Sequence, residues 1–246
     1  MFKRIFVARF PNNGDADFSK SMQCAVGHSY QLVTISYYET GPCINGFPGR
    51  GFFMDYDGRK AFVTAAHVVH YDDYMDNDGL SEDEPSIGII ISYDDGKFHI
   101  RCPQNRSYFE LFRLSGKTET VDFSCFWGGD YDDGLDDTID FVSVDSIEVA
   151  VGDMCVAYGV IWRRRSSGIV FQEVRMEGVV KRIAYDFIYV SLKDVPNVID
   201  GMSGSPVFSI NGSLIGMLLR YSEVTRDATL LSKNAIKHYL GHETFQ

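Results

Sequence analysis

The chain has 246 residues, a net charge of −11 and a pI near 4.9, with 45% hydrophobic and 14% aromatic side chains. That length and composition build one large or two small packed domains and exclude a disordered chain. The acidic balance repels phosphate backbones and argues against nucleic acid as a partner. No apolar run approaches the ~18 residues of a membrane-spanning helix, and the start, "MFKRIFVARFPNNGD", is broken by Arg9 and Pro11 before it makes a secretory apolar region. The sequence therefore predicts a cytoplasmic protein with no membrane partner.

Short apolar or alternating runs follow one another in chain order. They are "YQLVTISYY" (30–38), "GFFMDYDGRKAFVTAAHVV" (51–69), "IGIIISYDDGKFHI" (87–100), "IDFVSVD" (139–145), "MCVAYGVIW" (154–162), "FQEVRMEGVVKRIAYDFIYVSL" (171–192) and "PVFSINGSLIGMLLRY" (206–221). Turn signals separate them, including the hairpin pairs "YDG" at 56–58 and "ING" at 210–212. This pattern predicts an antiparallel all-β sandwich or pair of barrels. "SKNAIKHYLG" (232–241) differs: it opens on Ser232 as N-cap, ends on Gly241, and predicts a short C-terminal helix.

Two acidic segments, "DDYMDNDGLSEDE" (72–84) and "DYDDGLDDTID" (130–140), are too polar for a core and are expected as solvated loops. The first does not fit an EF-hand: with Gly79 sixth, Tyr74 and Pro85 fall where ligands belong. A calcium loop of another kind stays open there. The cysteines, Cys24, Cys43, Cys102, Cys125 and Cys155, are odd in number and lack a C-x-x-C pair. They are expected to be reduced and mostly buried, with neither a disulfide framework nor a zinc site. "WRRRSSG" (162–168) is the basic cluster, expected in a hairpin loop.

Chemistry concentrates in "VIDGMSGSPVF" (198–208), a Gly-rich turn with two serines. Alone it means little, since Ser and Gly populate turns for conformational reasons. Strand-like residues follow it, and position 205 is Ser, so it is not the G-x-S-x-G elbow of α/β-hydrolases. Upstream, "FVTAAHVVH" (62–70) delivers His67 from the end of a strand, and "TIDFVSVD" (138–145) carries Asp140 into another. The resulting order is His, Asp, Ser.

With these pieces the chain resembles the trypsin/chymotrypsin-like serine proteases, especially their disulfide-poor bacterial, Deg-like branch. The ordered landmarks, ending in "GMSGSPVFSINGSLIG" (201–216), run from about residue 29 to 240. The resemblance implies two antiparallel six-stranded β-barrels with the site between them. Residues 1–28 would be an N-terminal extension, 29–147 the first barrel, and 148–246 the second barrel with its helix. It implies a serine endopeptidase acting on a protein or peptide substrate, with no cofactor. Ser203 would be the nucleophile, His67 the base and Asp140 its orienting carboxylate, with the amides of Gly201 and Ser203 as oxyanion hole.

Asp136 and Asp137 are nearby rivals of Asp140, and Asp145 is another candidate; apolar flanks favour Asp140. The interval from His67 to Asp140 is long for the family, which points to the 72–84 segment as an insertion. Met202 stands where zymogen-type relatives carry the Asp that pairs with a new N-terminus, so activation by propeptide cleavage is not expected. By the same resemblance Asn197, Asp200 and Arg220 line the substrate pocket. The different-class alternative is a catalytically silent or signal-gated module that binds peptides in the cleft. A regulatory partner and an oligomeric state are not legible.

Overall fold

A computed structural model describes residues 2–8, 29–38, 41–69, 86–94, 97–103, 122–127, 141–142, 148–165, 168–193, 195 and 201–243. The architecture is all-β, with two sheets and two short helices. The 72–84 segment, all of 130–140, and Cys24 lie outside these residues.

The first sheet has nine strands. Its spine runs β1 (Phe2–Ala8), β7 (Lys97–Pro103), β6 (Ser86–Asp94), β2 (Tyr30–Tyr38), β4 (Arg50–Tyr56), β5 (Arg59–Thr64) and β8 (Ser124–Trp127). Off that path β3 (Gly41–Gly46) pairs with β2, and β9 (Phe141–Val142) lies parallel to β4. Among the described residues it curls into a half-barrel, which with the second half fits the expected all-β, two-barrel architecture. One of its strands, β1, comes from the segment set apart in sequence as an extension.

The second half matches the six-stranded expectation. Strands β10 (Met154–Arg165), β11 (Gly168–Ala184), β12 (Phe187–Leu192), β15 (Asp227–Ser232), β14 (Leu214–Ser222) and β13 (Pro206–Ser209) close a barrel in that order. β12 alternates half-buried and buried residues along "FIYVSL", as a strand with one face inward must. β4 and β14 instead open with unbroken buried runs, because packing covers them on both faces.

The turn signals translate into geometry. Asp57 and Gly58 both take positive φ, 51° and 74°, in the hairpin joining β4 to β5. Gly212 sits in the hairpin between β13 and β14. The "WRRR" run ends β10, with Arg165 opposite Gly168 across the β10–β11 hairpin. Cys125 and Cys155 are buried, and burial pushes the Cys155 thiol up to about 11, where it is unreactive at neutral pH.

The C-terminal helix spans Lys233–Glu243, capped by Ser232 Oγ accepting the Ala235 amide at 3.1 Å. It runs past Gly241, which therefore does not end it. A Cβ at Gly241 would sit 2.8 Å from Tyr56 Oη, so this glycine serves a close approach to the first sheet. Ala235, Ile236, Tyr239 and Leu240 are buried in one cluster with Phe52, Phe53, Phe62, Phe123 and Phe126 of the first sheet. Phe208, Leu214, Met217 and Leu219 from the second barrel join the same cluster. A separate cluster, including Met176, Val190, Met202 and Leu230, fills the second barrel.

This shared cluster makes the two halves one cooperative unit. Ile236, with no exposed surface, is expected to cost about 2–5 kcal/mol when truncated to Ala. Urea unfolding followed by tryptophan fluorescence should stay a single transition with a lower midpoint. Separation into two transitions would contradict the shared core.

Candidate active site

His67 lies in the single-turn helix α1 (Ala66–Val69), three residues after β5 ends. Asp122 lies two residues before β8 begins, and antiparallel pairing sets Thr64 opposite Ser124. The ladder therefore brings the two extensions together. Asp122 Oδ2 lies 2.7 Å from His67 Nδ1, and its Oδ1 accepts the His67 backbone amide at 3.0 Å. One carboxylate thus fixes both the ring and the chain that carries it.

This corrects the sequence expectation. The carboxylate on His67 is Asp122, while Asp140, Asp136, Asp137 and Asp145 lie outside the described residues. "VDF" at 121–123 and "IDF" at 139–141 have the same apolar–Asp–Phe pattern, and both lead into strands. Nothing local separates them. The pairing of β5 with β8, rather than the β9 contact with β4, decides which Asp reaches the histidine. The separation of 55 residues also removes the unusually long interval that Asp140 implied.

Burial of Asp122 works to raise its pKa. The hydrogen bond from the His67 ring, the charge on that ring, the His67 amide and the charge of Arg220 outweigh burial and hold it below 3.8. Asp122 is accordingly the carboxylate anion at neutral pH. Being acceptor-only, it requires His67 Nδ1 to carry a proton, which leaves the lone pair on Nε2. The Asp122 side chain is 12% exposed and that of His67 29%, so the imidazole stands between the carboxylate and the open side of the site.

Of the two serines, Ser203 is partly exposed whereas Ser205 has no accessible surface. The Ser205 hydroxyl has no hydrogen-bond partner among the described residues. Ser205 instead serves through its backbone: its amide donates to Met202 O at 3.0 Å, and its carbonyl accepts from Leu218 at 2.9 Å. The Ser203 hydroxyl donates to Leu219 O at 3.1 Å. A register shift in the β14–β15 ladder between Leu218 and Arg220 frees Leu219 for this bond.

The turn carrying Ser203 is fastened to the first sheet at Arg50. The Arg50 amide donates to Ser203 O at 2.8 Å, and Thr64 Oγ1 donates to Arg50 O at 2.7 Å. Gly204, at φ 85°, lies so close to Arg50 O that a Cβ would collide with it. Gly49 fits between α1 and the turn: a Cβ there would sit 2.6 Å from a Val68 methyl and 2.7 Å from Ser203 O. The segments that carry His67 and Ser203 thus both pack against Gly49. Gly201 has φ 84°, and among the described residues no acceptor is recorded for its amide or that of Ser203.

Arg50 is itself fully buried. Its Nε donates to Ser29 Oγ at 2.7 Å and its Nη1 to Gln31 Oε1 at 2.9 Å, while Nη2 reaches Ser29 O. No carboxylate among the described residues meets it, and burial lowers its pKa to about 10. Met202 has no exposed surface, and its Sδ packs over Gly159, beside the Arg50 stem. An apolar side chain thus supports the turn from below. Arg220 is exposed on β14, while Asn197 and Asp200 lie outside the described residues.

No protein-family model and no curated protein matches the chain. Among solved structures it is similar to the active form of the Rv3671c protease from M. tuberculosis, at 11% identity and a TM-score of 0.46, over 97% of this chain and 89% of that one. It is also similar to a serine-to-alanine mutant of Rv3671c in an inactive form, at 12% identity and a TM-score of 0.45, over 98% of each chain.

Exchanging Asp122 for Asn should cut labelling of Ser203 by a fluorophosphonate by about 10³–10⁴-fold, because the neutral amide no longer holds the tautomer. Asp140→Asn should change it by less than about threefold, since no role in orienting His67 is left for it. Equal losses in the two variants would contradict the assignment. A stability measurement gives a second check. The depressed pKa of Asp122 contributes stability that is complete above the ordinary value of 3.8 and disappears as pH falls through the folded value. The stability gap between wild type and Asp122→Asn should be constant above about pH 5 and close under strong acid.

Proposed function

We propose that the protein is a serine endopeptidase using Ser203, His67 and Asp122. The observation that carries this reading is the Asp122 carboxylate on His67 Nδ1, beside a partly exposed Ser203 on a turn fastened next to α1. Rotation of the Ser203 hydroxyl away from Leu219 O would present its proton to Nε2 as Oγ attacks a peptide carbonyl. The Gly201 and Ser203 amides would donate to the oxyanion. Collapse breaks the C–N bond and returns the proton from Nε2 to the leaving amine; water then cleaves the acyl-enzyme by the same route. This chemistry calls for no metal or organic cofactor. The odd number of cysteines, with no C-x-x-C pair, suits a reducing compartment, the cytosol, as its place of action.

The Ser203–Leu219 bond favours one second reading, a silent or gated module that binds peptide with the hydroxyl turned aside. Fluorophosphonate labelling of the full, unprocessed chain separates the two. Wild type and Ser205→Ala should label and Ser203→Ala should not, without prior proteolysis, because buried Met202 has no charge for a new N-terminus to pair with. Failure of folded wild type to label would favour the second reading; labelling only after N-terminal cleavage would contradict the role given to Met202.

A further inference from the structure

β14 outruns its partner on one side. β13 pairs with it only as far as Met217, after which Leu218 is held by the backbone of Gly204 and Ser205. From Arg220 to Ser222 the opposite edge stays paired with β15, through Arg220↔Thr229, Tyr221↔Ala228 and Ser222↔Asp227. The edge on the β13 side has no strand partner there among the described residues. It begins at Leu219, whose carbonyl holds the Ser203 hydroxyl. An open strand edge beside a nucleophile is a template for an extended peptide.

The direction of such a peptide follows from the sheet. Both strand neighbours of β14 pair antiparallel. An antiparallel guest runs from the Ser222 end towards Leu219 and reaches Ser203 with its C-terminal side. At ~3.3 Å per residue, the side chains beside positions 220–222 belong to residues two to four places before the carbonyl under attack.

Arg220 is the charged residue on that stretch, exposed while Leu218 and Leu219 before it are buried. No ion pair joins it to a carboxylate among the described residues. Its charge is felt by Asp122, yet both Asp122 oxygens are already engaged by His67. Among the described residues its forked donors are therefore available for a carboxylate brought by a ligand. With a chain charge of −11, long-range forces do not gather acidic peptides, so any preference for them must come from a local contact.

We propose that Arg220 determines specificity by binding an Asp or Glu side chain of an extended peptide, two to four residues before the bond that is cut. The inference rests on the protease reading for the position of the cut, and on the open edge of β14 for the contact.

Two measurements test it. Cleavage of a peptide library from a denatured cell lysate should show Asp and Glu enriched at those positions for wild type. The enrichment should vanish in Arg220→Gln and turn to Lys and Arg in Arg220→Glu. Separately, two random decapeptide pools, one with Asp and Glu and one with Asn and Gln in their place, should compete for Ser203→Ala protein. The acidic pool should win by about fivefold, and Arg220→Glu in the same background should reverse the order. Equal binding of the pools, or an unchanged cleavage profile in Arg220→Glu of native melting temperature, would overturn the role of Arg220 even if Ser203 labels normally. Conversely, an unlabelled Ser203 with the acidic pool still preferred would remove the cleavage and leave the Arg220 contact standing.

Discussion

The site depends on the backbone of a single residue, Arg50. Its amide holds Ser203 O from one side of the molecule, and its carbonyl takes the Thr64 hydroxyl from the strand that leads to His67. The same carbonyl sets how closely Gly204 can approach. His67 and Ser203 are therefore referred to one peptide unit, although they come from opposite halves of the chain. Catalytic geometry tolerates errors of only about half an ångström, so a joint of hydrogen bonds and close backbone packing suits the purpose better than side-chain contact alone.

The guanidinium of Arg50 explains why this joint is stiff. A cation this deeply buried is tolerated only where its donors are satisfied, and Ser29 and Gln31 supply the acceptors. Those partners immediately precede or begin β2, so the interior of the first sheet is ordered by the group that orders the site. Met202 and Gly159 close the space over its stem without adding charge. The anchor is thus built into the fold.

Much of this was legible in local sequence. The Asp57–Gly58 turn, the Ser232 cap, and the small-residue surroundings of His67 and Ser203 follow from backbone preferences that act over four or five residues. Strand partnership does not. "VDF" and "IDF" are equivalent as local patterns, and only the distant pairing of β5 with β8 makes Asp122 the partner of His67. Gly49 and Arg50 escaped notice for the same reason, since the contacts that give them a role join segments far apart in sequence. Gly241 invited a local explanation as a helix end, whereas its neighbour Tyr56 comes from the other half of the chain.

That last contact bears on when the site comes into being. The apolar surface of the first sheet is completed by Ala235, Ile236, Tyr239 and Leu240, among the last described residues of the chain. During synthesis the half that carries His67 and Asp122 emerges before the helix that covers it. The core shared by the two halves is therefore closed by side chains that are made after both His67 and Ser203.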